Sequence, residues 1–131
     1  MSSKKIIRVI HWAPRILCIL AILFISIFAL DAFDPDLTIG QQIIGFLIHL
    51  IPSFILLIVC VIAWKNELFG GVIFAIIGIA LSPFVYSKNY NMNHSVSMSL
   101  GIIAAITLPF IIVGALFIIN HFLKKKVKND N

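Results

Sequence analysis

The stretch that decides the fold is IIGFLIHLIPSFILLIVCVIAW, residues 43–64, which contains no Asp, Glu, Lys or Arg. An α-helix of about 20 residues is long enough to cross a hydrocarbon core about 30 Å thick. Soluble proteins carry about 25% charged residues, whereas this chain of 131 residues is 61% hydrophobic and only 11% charged. The sequence therefore predicts a membrane protein.

Three more apolar runs accompany this one, and polar segments such as DAFDPDLTIGQQ, KNE and SKNYNMNHS separate them. Clusters of Asp, Asn, Pro and Gly of this kind are typical of turns and loops. We therefore predict an all-α membrane protein, one domain over residues 1–131 with four transmembrane helices in an up-down bundle. The predicted helices cover residues 13–33, 43–64, 68–86 and 98–122.

The basic residues predict the orientation of the chain, because cytoplasmic segments of membrane proteins are enriched in Lys and Arg. With the N-terminus inside, the outer side has only Lys88 among the ten basic residues. The inner side has the others, Lys4, Lys5, Arg8, Arg15, Lys65, Lys124, Lys125, Lys126 and Lys128. We therefore expect the cell membrane as the location, with both termini cytoplasmic. The basic C-terminal tail is expected to contact anionic lipid headgroups rather than nucleic acid.

Small and polar residues indicate which helix faces point inward, since helices in lipid associate through close packing and hydrogen bonds. The second run places such residues on one face, namely Gly45, His49, Pro52, Ser53, Cys60 and Ala63. Other runs show stripes of the same kind: Arg15, Cys18, Ser26 and Ala29; Gly71, Ala75, Gly78 and Ser82; Ala104, Thr107 and Gly114. Counting from the outer helix ends places His49 and Ser26 at a similar depth. The sequence thus suggests an intramembrane polar cluster of His49, Ser26, Pro52 and Ser53, in which His49 forms a hydrogen bond with Ser26 or with a backbone carbonyl.

A second pair of polar residues lies near the predicted inner interface. Arg15 is just inside the first helix, and Glu67 is in the first turn of the third, where the helix dipole favours a carboxylate. An ion pair between them is one interpretation. The other is that Arg15 extends to lipid phosphate while Glu67 only caps its helix.

Three segments together resemble a known family: HWAPRILCILAILFISIFALDAF, GFLIHLIPSFILLIVCVIAWKNELFGG and GALFIINHF. The family consists of small prokaryotic four-helix integral membrane proteins catalogued as a domain of unknown function. The resemblance covers nearly the whole chain and implies four helices in a prokaryotic cell membrane. It implies no reaction.

Two functions are compatible with these patterns. The first is a non-enzymatic structural or accessory component of the membrane, acting as a homo-oligomer or with a larger membrane partner. The alternative is a subunit of a small oligomeric transporter or channel, because a histidine within a span can exchange protons near neutral pH. His49 would be its titratable residue. We expect no catalytic residues, no metal site and no cofactor, since the chain has no cluster of Ser, His, Asp or Glu suited to them.

Overall fold

The computed structural model describes residues 3–130, whose regular structure is entirely helical. The helices are α1, Ser3–Ile27, continued by a 3-10 turn, Phe28–Ala32; α2, Ile39–Lys65; α3, Glu67–Asn93; α4, Val96–Ile106; and α5, Leu108–Asn129. Four helical segments are long and apolar enough to cross a membrane: Lys4–Ala32, Ile39–Lys65, Glu67–Asn93 and Leu108–Asn129. The chain is a membrane protein.

Large apolar side chains cover the outside of the molecule. Ile58 and Ile79, for example, are 62% and 61% exposed, which suits lipid and would be costly in water. The interior is built around three aromatic side chains on α3 and α5. Phe74 stacks on Phe110 and on Phe117, with ring centroids 6.0 and 6.3 Å apart. These rings fill the space between the two helices that contact each other most.

The helices extend beyond the apolar runs that predicted them, because capping groups rather than hydrophobicity set their ends. Thr38 and Gln41 form a capping box at the start of α2, so this helix begins at Ile39 rather than near residue 43. The Asn66 side chain accepts from the Phe69 N–H at 3.1 Å and starts α3. The basic segments at both ends of the chain are also helical, in α1 and α5.

The segment at residues 87–95, predicted as a loop, is mostly the last part of α3. The helix ends at His94, whose φ of 52° and ψ of 27° lie in the left-handed region that commonly terminates helices. The Asn93 side chain then accepts from the Ser95 N–H at 2.8 Å, and Ser95 caps α4. The asparagines of this segment predicted a loop, but an asparagine side chain can form hydrogen bonds within a helix as well as in a turn.

The prediction of one continuous helix over residues 98–122 is wrong. The chain forms α4 and α5 instead, with a break at Thr107. Pro109, in the first turn of α5, has no N–H, and its ring conflicts with the carbonyl four residues earlier. The Thr107 hydroxyl donates to the Ile103 carbonyl at 3.1 Å beside the break.

The stripe of small residues predicted on the third span is confirmed as a place of close backbone approach. A Cβ added at Gly71 would lie 2.8 Å from the Gly114 carbonyl oxygen, and one at Gly114 would lie 2.6 Å from the Gly71 carbonyl oxygen. A Cβ at Gly78 would lie 2.5 Å from Ile111. Helices α3 and α5 therefore approach to a distance that only glycine permits at these positions.

We predict that Gly71→Ala lowers the stability of the protein in detergent, whereas Gly101→Ala does not. Alanine favours a helix by about 1 kcal/mol over glycine, and Gly101 has nothing within 4 Å of an added Cβ. At Gly71 the same methyl group would force α3 and α5 apart. Thermal unfolding followed by circular dichroism measures both variants. Equal stability of the two would contradict the close approach.

Candidate functional site

Glu67 lies at the start of α3 and is the only glutamate in the sequence. Its carboxylate is favoured there by the positive end of the helix dipole. The side chain is nonetheless only 10% exposed, so it depends on partners from other helices. A buried carboxylate without partners would be costly to ionise.

Arg15 of α1 is the first of these partners. Its Nη2 donates to Glu67 Oε1 at 2.9 Å and to the Trp64 carbonyl at 3.4 Å, while Nη1 donates to the His11 carbonyl. The guanidinium also lies 5.6 Å from the centre of the Phe117 ring. With its side chain 6% exposed, Arg15 points into the protein rather than toward lipid phosphate. The structure thus brings together the two residues that the sequence suggested as an ion pair.

Three further residues at this site were missed by sequence reasoning. Asn120 Nδ2 and Lys124 Nζ, both on α5, each donate to Glu67 Oε1 at 2.7 Å. His11 of α1 has its Nδ1 atom 3.7 Å from the same oxygen. The available signal was the spacing of Asn120 and Lys124, which places both on one helix face one turn apart.

We call Arg15, Glu67, Asn120, Lys124 and His11 the ion network. One carboxylate oxygen accepts from two cations and an amide, so the positive charges exceed the negative by one. Lys124 Nζ also lies 2.5 Å from His11 Nδ1. An ammonium can only donate, so this contact is a hydrogen bond when His11 is neutral and Nδ1 is the acceptor. The arrangement holds helices together, and it has no nucleophile placed against a base.

The described part of the chain contains no cluster of metal-binding side chains. Within residues 3–130, no three His, Cys, Asp or Glu side chains converge as a metal ion would require. Cys18 and Cys60 are free thiols and belong to the apolar core.

Of the two partners suggested for His49, the structure shows a backbone carbonyl and not Ser26. The Ser26 hydroxyl lies 2.9 Å from the Ser53 hydroxyl and 2.8 Å from the Ile22 carbonyl. His49 is exposed, and its Nδ1 bonds to the Gly45 carbonyl of its own helix at 2.7 Å. Pro52 is also exposed, whereas Ser53 is buried.

The physical reason is the position of His49 along α2 rather than the direction of its side chain, because the small and polar residues do share one face. The buried residues on this helix are Ser53, Leu56, Val59, Cys60 and Ala63. His49 lies beyond the edge of that contact and satisfies one ring nitrogen locally.

Comparison with known proteins gives the family. Residues 3–129 match the family described as a domain of unknown function, DUF7670. The chain belongs to the DUF7670 family. The resemblance to a family catalogued as a domain of unknown function is thereby confirmed, and every residue of the ion network lies within the matched region. No curated protein and no solved structure matches this DUF7670 member.

We predict that Glu67→Gln destabilises the protein by about 3 kcal/mol, because it leaves the buried Arg15 cation without its counterion. Chemical unfolding in detergent measures the loss. The control is Asp36→Asn, which neutralises an exposed carboxylate. Removing both charges, in Arg15→Gln with Glu67→Gln, should recover part of the loss. Equal stability of Glu67→Gln and Asp36→Asn would show that the ion network contributes little.

Proposed function

We propose that this protein is a non-enzymatic structural or accessory component of the cell membrane. The observation that carries the proposal is the set of contacts made by Glu67. Its carboxylate on α3 binds Arg15 of α1 and Asn120 and Lys124 of α5, and Arg15 in turn binds the end of α2. A chain with its main polar groups used to join its own helices is suited to a stable scaffold or partner subunit.

The proposed topology is an up-down bundle with both termini cytoplasmic. The ion network supports it, because its members come from the beginnings of α1 and α3 and from the end part of α5. The end of α2 meets them at the Trp64 carbonyl. The positive-inside rule assigns this end to the cytoplasm. The basic tail after residue 123 would then contact anionic headgroups.

The packing of the interior favours this role over transport. Phe74, Phe110 and Phe117 occupy the centre. Within the described residues, every buried side-chain nitrogen or oxygen has a hydrogen-bond partner. Two hydroxyl pairs also join separate helical segments, Ser26 to Ser53 at 2.9 Å and Ser82 to Thr107 at 2.8 Å. Bonds of this kind contribute about 0.6 kcal/mol each in lipid.

The alternative, a transporter or channel subunit, requires an oligomer. His49 is exposed on α2 rather than turned into the protein. It could face a pathway only between copies of the chain or beside a larger partner. The two grooves that flank α2 are lined mainly by Ile, Leu and Phe side chains, which offer nothing to an ion.

Transport is tested by measuring proton and solute flux in vesicles containing the wild type, His49→Asn or His94→Asn. We expect no flux above that of empty vesicles for any of them between about pH 5 and about pH 8, the range in which histidine changes charge. His94→Asn is the control for losing a histidine near a helix end. A wild-type flux that only His49→Asn abolishes, with the fold retained, would establish the transport function instead.

The topology is tested with single cysteines at Asp36 and at Lys126. A membrane-impermeant thiol reagent applied to whole cells should label the first, and should label the second only after lysis. Cys18 and Cys60 are 0% and 3% exposed and should react slowly, so they provide an internal background. Labelling of the Lys126 position in intact cells would show that the orientation is the opposite of the proposed one.

A further inference from the structure

His11 occupies an unusual position for a titratable side chain. Its Nδ1 atom is the acceptor for Lys124 Nζ at 2.5 Å and lies 3.3 Å from Arg15 Nη1. Both neighbours are cations that can only donate hydrogen bonds. The neutral imidazole therefore accepts hydrogen bonds from both cations where they meet one carboxylate.

We propose that protonation of His11 releases Lys124 from the ion network, so that the last turns of α5 separate from α1 below neutral pH. A proton on Nδ1 removes the acceptor that Lys124 uses. It also adds a positive charge beside two existing ones. The only compensation is Glu67, whose Oε1 is 3.7 Å from Nδ1.

One cation must leave, because three cations around the single Glu67 carboxylate would leave two positive charges uncompensated, and that cation is Lys124. Arg15 is 5% exposed and has further bonds to the Trp64 and His11 carbonyls. The Lys124 side chain is 37% exposed, and its long stem can carry the ammonium into solvent. Protonated His11 then takes the place of Lys124 beside Glu67.

The charges that act on His11 come from three helices, namely Arg15 on α1, Glu67 on α3 and Lys124 on α5. Helix α4 has no titratable side chain, and α2 contributes only the Trp64 carbonyl, through Arg15. The nearest basic residue on α2, Lys65, is exposed. The response to pH is therefore confined to the end of the molecule where α1, α3 and α5 meet.

The consequence is a change at one end of the molecule with the rest of the fold retained. Lys125, Lys126 and Lys128 follow Lys124 on α5, so its release frees a basic helical segment. The glycine contact between α3 and α5 contains no titratable group and should not respond. Local opening of this kind is readily detected by hydrogen exchange.

The protein provides its own reporter of His11. The Trp12 ring meets the His11 ring edge-on, with centroids 5.7 Å apart. Trp12 is one of two tryptophans, so Trp64→Phe leaves it as the sole emitter and keeps the residue 64 carbonyl. A protonated imidazole next to indole quenches its fluorescence. Titration of Trp12 emission thus follows His11, and amide exchange over residues 120–129 follows α5.

The experiment compares wild type, His11→Asn, Lys124→Gln and His121→Asn in phosphatidylcholine nanodiscs. His11→Asn keeps an acceptor without a titrating group, and His121→Asn removes a histidine from the same end of α5. After correction for intrinsic rates, exchange over residues 120–129 in wild type should be about tenfold faster at about pH 5 than at about pH 8. His121→Asn should behave like wild type, and His11→Asn should show no such change.

Lys124→Gln keeps the test valid if His11→Asn does not fold. It removes the ammonium that protonation expels, so exchange should be insensitive to pH while Trp12 emission still titrates. The proposal is overturned if wild-type exchange is the same at both pH values, or if Trp12 emission shows no transition. It is also overturned if Lys124→Gln or a folded His11→Asn responds as wild type does.

Discussion

The rest of the structure depends on the carboxylate of Glu67. A single negative charge at the start of α3 must be compensated within an apolar protein, and it draws its partners from distant parts of the chain. Arg15 and Lys124 supply the charge, Asn120 supplies a further donor, and the Trp64 carbonyl accepts from Arg15. All four helical segments that are long and apolar enough to cross a membrane therefore meet at one point. Breaking such a pair leaves an uncompensated buried charge, which is why it constrains the fold strongly.

A second constraint acts between α3 and α5, where no charge is involved. Apolar side chains gain no free energy by moving from lipid into the protein interior, so helix association relies on close packing. Gly71 and Gly114 allow the two backbones to meet, and Phe74 stacks between Phe110 and Phe117 alongside. The break at Thr107 redirects the chain immediately before this contact begins. The ion network at one end and the glycine contact along the middle thus both join α3 to α5.

The polar residues of α2 show the limit of reasoning from one helix at a time. His49 and Ser53 lie four residues apart on neighbouring parts of the same face, yet one is exposed and the other is buried. Helical periodicity gives the direction of a side chain but not how far along the helix its neighbours cover that face. Ser53 faces α1 and meets Ser26, whereas His49 bonds to its own helix. The buried residues of α2 all lie between Ser53 and Ala63, so the covered part of this face ends short of His49.

The sequence by itself determined the class of protein, the four apolar segments and the stripe of small residues on α3, and its resemblance to a family was confirmed. The first three follow from composition or local periodicity, because each residue must suit the solvent around it. Helix ends were less predictable, because caps such as Thr38 and Asn66 act over one turn and override the apolar pattern. Only the tertiary structure decided that Asn120, Lys124 and His11 join Arg15 and Glu67. These residues come from three helices and are separated by up to 113 positions, so their meeting depends on how the helices pack rather than on any local pattern.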